Sequence, residues 1–341
     1  MITESNINLD IDVDSTRRYL TSQQWPESLQ DVLVKGCQSF PIRYFIIDDS
    51  GSMAKNDGKR RISIGENNKL VSCSRWAEVT DAIRFHAGLA EAVGVPTEFR
   101  LLNGAPPLIL GRGTDDGIAH KTLLEYLERS PGGGTPLCRH ITEVVEQIKA
   151  IENNLRANAQ KAVVIIVTDG EASDGDVIQA LRPLQDLPTW MIVRLCTNEV
   201  DVAQSWNRVE TNLEVELDVL DDLVGEATEI HQYNKWLTYG EPLHRLREWG
   251  VQIKDMDLLD ESILAPEQMR AVCAVILFGG KVSSLPHPDG NWDSFIQAVA
   301  AATEALGVVW DPIKQVNHPW IRIEKLTKIY SHESKSKCIV S

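Results

Sequence analysis

Two hydrophobic spacings take turns along this chain. Short runs rich in β-branched and aromatic residues read as strands: "IRYFIID" at 42–48, "KAVVIIVTD" at 161–169 and "TWMIVRLC" at 189–196, with "NLEVELDVL" at 212–220 as a fourth. "TEFRLLN" (97–103) and "PPLILG" (106–111) read as two short strands around a Gly-Ala-Pro turn. Between them, apolar positions recur at helical intervals. "SRWAEVTDAIRFHAGLAEAVG" (74–94) predicts an amphipathic helix that stops at glycine, and further helices are predicted at about 118–129, 135–157, 174–182, 221–231 and 240–249. Two helices precede the first strand, 14–23 and 26–37, the second opening at Pro26 after a polar tail, 1–13. Strand–helix alternation of this kind predicts an α/β fold: a doubly wound, mostly parallel sheet with helices on both faces.

Beyond residue 255 the alternation stops. "APEQMRAVCAVILFGG" and a segment at about 291–306 read as helices between Pro-rich links. The expected organisation is therefore N-terminal tail and helices (1–39), an α/β domain (40–254), a small helical extension (255–330) and a flexible tail (331–341).

With 34 basic and 49 acidic residues the net charge is −15, which repels phosphate backbones and argues against nucleic-acid binding. The six cysteines, Cys37, Cys73, Cys138, Cys196, Cys273 and Cys338, form no CxxC pair and no zinc-spaced cluster, as expected in a reducing compartment. The acidic N-terminus reads as no secretory signal, and no run is long enough to span a bilayer, so the expected location is cytoplasmic.

Chemistry gathers at the strand ends. The two most apolar strands both end in aspartate, Asp48 and Asp169. In a doubly wound sheet the carboxyl ends of the strands line the functional crevice. The first strand continues as Asp48-x-Ser50-x-Ser52, where Gly51 is expected to let the backbone turn tightly, and a glycine-rich loop leads into Thr135. Two carboxylates and three hydroxyls make an all-oxygen shell suited to a hard cation: magnesium, with manganese or calcium as alternatives. Neutral hydroxyl ligands would leave the ion much of its charge, so it would seek an anionic ligand from outside.

Asp-x-Ser-x-Ser at 48–52, a threonine in a glycine-rich loop at 135 and Thr-Asp-Gly at 168–170 resemble the metal-ion-dependent adhesion site of von Willebrand factor type A domains. The resemblance covers about residues 40–250. It implies that Ser50, Ser52 and Thr135 supply hydroxyl ligands, that Asp48 and Asp169 act directly or through water, and that the sixth position takes a partner's Asp or Glu. It implies protein binding, not catalysis. Each piece also has a plainer reading: Asp48–Gly51 and Thr168–Gly170 as ordinary turns, and Thr135-Pro136 as a helix start with Thr135 as N-cap.

Between Met53 and the helix at 74 the chain is longer than the motif needs. "RISIGENNKLVSCS" reads as a β-hairpin with a Gly-Glu-Asn-Asn turn, and Lys55, Lys59, Arg60 and Arg61 could form a basic rim for acidic partners or a solvated loop. The acids of "DGEASDGD", Glu171, Asp174 and Asp176, lack EF-hand spacing and suit the N-terminus of the following helix. Tryptophans such as Trp76, Trp190, Trp249 and Trp310 are expected in the core.

The alternative reading is a magnesium-dependent phosphoryl hydrolase. It would need a base, and His86 and His140 lie on helices beside the motif segments, without the spacing of a known catalytic set. There is no GxxxxGK[ST], GxSxG or HExxH motif, so the chain is read as a non-enzyme. A scaffold with an empty metal site is the third alternative. Finally, Cys338-Ile339-Val340-Ser341 fits Cys-aliphatic-aliphatic-X, with serine selecting farnesyl. One lipid gives only marginal anchoring. With Lys325, Lys328, Lys335 and Lys337 nearby, reversible attachment to a membrane's cytoplasmic face is expected.

Overall fold

A computed structural model describes residues 11–64, 67–104, 106–111, 117–197, 199–213 and 216–337. Two helices, α1 (Val13–Ser22) and α2 (Glu27–Ser39), precede β1 (Ile42–Ile47). A hairpin of β2 (Gly58–Ile64) and β3 (Asn67–Cys73) follows, then α3 (Arg75–Val93), β4 (Thr97–Leu101) and β5 (Leu108–Leu110). Helices α4 (Ile118–Leu127) and α5 (Leu137–Ala157) lead to β6 (Ala162–Thr168), α6 (Val177–Leu181), β7 (Thr189–Leu195), α7 (Val200–Asn212) and β8 (Leu217–Leu220). Helices α8 (Leu223–Tyr233), α9 (Glu241–Glu248), α10 (Pro266–Phe278) and α11 (Trp292–Leu306) come next. A second hairpin, β9 (Val308–Asp311) and β10 (Val316–Pro319), precedes α12 (Ile323–Lys337).

The main sheet has the order β5-β4-β1-β6-β7-β8. All its pairings are parallel except β4 with β5. The period of two along each strand decides which face a side chain enters. Phe45, Ile47, Val163, Ile165 and Val167 point into one core. Ile42, Tyr44, Ile46, Val164 and Ile166 point into the other, packed against α5, α6 and α7. Both faces are covered, as the near-continuous apolar runs require.

The chain leaves β1 toward β4 on one side and returns through α5 to β6 on the other. Between β1 and β6 the winding direction reverses, so the loops following them diverge and leave a crevice. Asp48 and Asp169 are the first residues after these two strands. The crevice therefore opens where the sequence places its paired acids.

Four features depart from the sequence reading. Helix α7 is not among the expected elements, although its apolar positions 202, 206, 209 and 213 have helical spacing. It takes up Asn212, the first residue of the strand expected at 212–220, and the described strand, β8, runs Leu217–Leu220. The β9–β10 hairpin is too short, and too interrupted by Pro312 and Pro319, to show a period of two. Helix α12 runs through Lys337 into the segment expected as a flexible tail.

The extension is also no separate appendage. Met269, Val272, Cys273 and Ile276 of α10 share one core with Phe45, Leu29 of α2 and Trp249. Ser28 Oγ donates to the Ile276 carbonyl at 2.5 Å, and Lys35 Nζ to that of Gly279 at 2.9 Å. The expected tail at 1–10, the hairpin turn at 65–66 and the Cys338–Ser341 motif lie outside the described residues.

Candidate metal centre

Asp48 follows β1, is 1 % exposed, and has a donor on each oxygen. The Ser50 amide donates to Oδ1 at 2.9 Å and the Thr168 hydroxyl to Oδ2 at 2.8 Å. Burial holds this carboxyl above its ordinary value, partly offset by those donors and reinforced by the nearby Asp169. Ser50 and Ser52 bring their hydroxyl oxygens to 3.0 Å of each other. The Ser52 hydroxyl donates to Asp169 Oδ1 at 2.8 Å. Four of the five sequence-selected residues thus form one connected set across the ends of β1 and β6.

Gly51 sits at a tight turn, as expected, but the turn does not require glycine. It opens a 3-10 turn, Gly51–Ala54, a right-handed conformation open to any residue. The glycine that the geometry needs is Gly133, with φ +97° and a position where a Cβ would lie 2.4 Å from Asn103 Oδ1. Its carbonyl accepts the Gly51 amide at 3.2 Å, and the Gly132 amide donates to the Asp49 carbonyl at 2.8 Å. The glycine-rich loop is thereby laid against the Asp-x-Ser-x-Ser loop.

Thr135, half-buried, is held by its backbone. Its amide donates to Ser173 Oγ at 3.0 Å and its carbonyl accepts the Ser173 amide at 2.8 Å. It is not the N-cap of α5. The N-cap is Pro136, which has no side-chain acceptor, and the first-turn amides of Cys138 and Arg139 donate instead to the two carboxylate oxygens of Asp174 at 3.0 and 2.9 Å. Among the described residues, the Thr135 hydroxyl makes no hydrogen bond to the other four side chains. Asp176 does cap the following helix, α6, as expected, while Glu171 accepts from Ser205 at 2.7 Å.

Three residues outside the expected ligand set hold it together. Asp49 Oδ1 accepts both the amide and the Nδ2 of Asn103, each at 2.9 Å, tying in the loop after β4. Thr168 binds Asp48, as above. Arg75 donates to Asp169 Oδ2 at 2.8 Å, with side-chain exposures of 1 % and 0 %. A charged residue opening a helix directly after a basic hairpin was the available signal for Arg75, but nothing local in sequence says that Asp169 is its partner.

The donor set fits a hard cation. Every donor is oxygen, and two facing buried carboxylates are matched by a single buried guanidinium, leaving a deficit of positive charge that a divalent ion would meet. Elsewhere, Glu226, Glu229 and Asp260 also group their carboxylates within 4.8 Å. Arg247 is already paired with Glu226 at 2.7 Å there.

The β2–β3 hairpin forms as expected, but its cations are partly spoken for. Lys55 pairs with Glu199 at 2.6 Å and Arg61 with Glu241 at 2.8 Å. Lys59 lines a groove with Asp218, Asp221 and Asp222, and Arg60 is exposed. The two candidate bases are buried, and neither hydrogen-bonds to the oxygen set. His86 sits 3.1 Å from Glu248 and stacks on Trp249, and His140 lies 3.2 Å from the Leu102 carbonyl. Burial lowers both their pKa values. The cysteines among the described residues are free. No helix among the described residues is long and apolar enough to cross a membrane.

No family model and no curated protein matches this chain. Among solved structures it is similar to the conserved hypothetical protein BatB from Bacteroides thetaiotaomicron, at 14% identity and a TM-score of 0.37, covering 61% of this chain and 98% of that one. A likeness of that size carries no argument about this site. The strand order and the parallel pairings themselves make the chain an α/β protein with a doubly wound, Rossmann-like sheet.

Proposed function

We propose that the chain is a metal-dependent protein-binding module, not an enzyme. Ser50, Ser52 and Thr135 would offer neutral oxygens to magnesium, with Asp48 and Asp169 as carboxylates acting directly or through water. When bound, the ion would supply an open coordination position for a partner's Asp or Glu. The chain's own part is to preorganise the donors. Thr168 and the Ser50 amide fix Asp48, Asp49 and Asn103 fix the loops, and Gly133 brings the third loop close. The observation that carries this reading is the chain of contacts Ser50–Ser52–Asp169 across the switch point.

Calorimetry of the full chain with magnesium chloride and manganese chloride tests it. Binding is expected in the wild type and is expected to fall at least about tenfold in Asp48→Ala, Ser52→Ala and Thr135→Ala. Pulldown of partners should collapse with chelator. Heat-silent titrations of a folded protein would instead support a scaffold with an empty site, and turnover of generic phosphate esters with added magnesium would support the hydrolase reading. Lys59 and Arg60 are the hairpin cations proposed to meet an acidic partner.

A farnesyl group on Cys338, giving reversible membrane attachment, is proposed from the sequence motif alone. Incubation with a farnesyl donor and transferase should add one farnesyl mass to the wild type and none to Cys338→Ser. An unchanged wild-type mass would end that proposal.

A further inference from the structure

Arg75 opens α3, one residue after its N-cap Ser74. A cation in the first turn opposes the helix dipole, so helix stability does not explain it. Its guanidinium is buried and makes four hydrogen bonds, all to carboxylates. Nη1 binds Asp169 Oδ2 at 2.8 Å, Nε and Nη2 grip the Asp57 carboxylate at 2.7 and 2.6 Å, and Nη2 reaches Glu199 Oε1 at 2.9 Å. Lys55, just past the 3-10 turn of the Asp-x-Ser-x-Ser loop, holds the same Glu199 oxygen at 2.6 Å. Burial opposes the guanidinium's charge, but the carboxylates of Asp57, Asp169 and Glu199 more than compensate, so Arg75 stays charged.

The two oxygens of Asp169 are therefore divided. Oδ1 faces the serine hydroxyls and Oδ2 faces Arg75. Resting on the metal-binding reading above, we propose that Arg75 is a built-in cation that weakens the site's hold on the metal and strengthens the loaded site's hold on a carboxylate. The physical reason lies in burial. Asp57 and Glu199 are half exposed, at 51% and 50%, so solvent screens them. Asp169 and Arg75 are enclosed, where a unit charge acts strongly over a few ångströms. A divalent ion entering the crevice meets two carboxylates, one of them already matched. It is bound less tightly and less fully neutralised, and the surplus positive charge is what an incoming anionic side chain feels. Arg75 makes no contact with the partner itself. It positions Asp169 and sets the charge of the site.

The test measures the two affinities separately. Manganese binding is followed by water-proton relaxivity of the full chain, and acetate, as the carboxylate probe, is then titrated into the manganese-loaded protein to displace bound water. Arg75→Gln keeps an N–H donor and removes the charge. It should bind manganese about tenfold more tightly and require about tenfold more acetate. Arg75→Lys should stay near the wild type. Asp57→Asn, which unmatches Arg75 at a half-exposed position, should move both affinities the opposite way and decides the matter if Arg75→Gln fails to fold. A simple loss of packing would weaken both affinities together. Metal and acetate affinities that move in the same direction, or do not move, in Arg75→Gln or Asp57→Asn overturn the proposal. A wild type that binds no manganese overturns the metal reading itself, and this inference with it.

Discussion

Burial raises the pKa of carboxylates at more than one place here. Asp48 has hydrogen-bond donors on both oxygens, yet burial still holds its pKa up. Asp221, on the groove beside β8, is pushed up to about 7, first by burial and then by Asp222. Its folded pKa lies above the unfolded one, so the folded state holds a proton that the unfolded state has lost. Stability must then fall as pH rises from about 4 to about 7 and stay low above that. Asp221→Asn keeps the acceptor for the Asp222 amide, now at 2.9 Å, and removes the charge. In urea unfolding it should gain ~2 kcal/mol more at pH 8 than at pH 5. An equal gain at both pH values would show that the carboxylate is solvated after all.

At the scale of elements, the start of α5 and the loop before it act as one device. Asp174, from the loop after β6, accepts the first-turn amides of α5, leaving Thr135 free of that duty. Asp174→Ala should cost ~1 kcal/mol in thermal or chemical unfolding. Gly133→Ala should cost ~1–2 kcal/mol, because its φ is left-handed and Asn103 blocks the Cβ. Asn103 also donates to the Gly134 carbonyl at 2.9 Å, so its displacement would shift the loop carrying Thr135. Magnesium affinity measured by calorimetry should fall at least about tenfold in Gly133→Ala, far beyond what its stability loss explains. The same affinity as wild type would remove Thr135 from the ligand set.

The whole molecule is built around one large core on one face of the sheet. Phe45 and Phe99 stack at 5.0 Å between centroids, and residues from α2, α3, α9, α10, α11 and α12 close over them. Arg43, fully buried on that face, donates to the Trp249 carbonyl at 2.8 Å and lies 4.3 Å over its ring, binding α9 to β1. Deleting the chain beyond residue 254 would strip α10 to α12 from this core. The truncated protein should bind a hydrophobic dye and lose its sharp thermal transition, whereas a detachable appendage would leave the transition in place. The β1 and β6 ends carrying the site are anchored in that core, so loss of the extension should also weaken metal binding.

Periodicity and strand ends are local properties, and they were readable. Near-continuous runs of β-branched and other apolar residues mark β1, β6 and β7, because each must fill both faces of a covered sheet. The acids after β1 and β6 and the hydroxyls of residues 50 and 52, which the fold brings together, were likewise legible, because they follow directly on the ends of those strands. Tertiary structure alone decided which strands are neighbours, and hence that Asp48 and Asp169 share one crevice. It alone joined Arg75 to Asp169, 94 residues away, and Asp174 to α5. Charged side chains choose partners by proximity in space, and any of the chain's many carboxylates could have matched Arg75 in sequence. The same reason hides the union of the extension with the core: a helix's apolar stripe announces that it will be buried, and only the packed chain says against what.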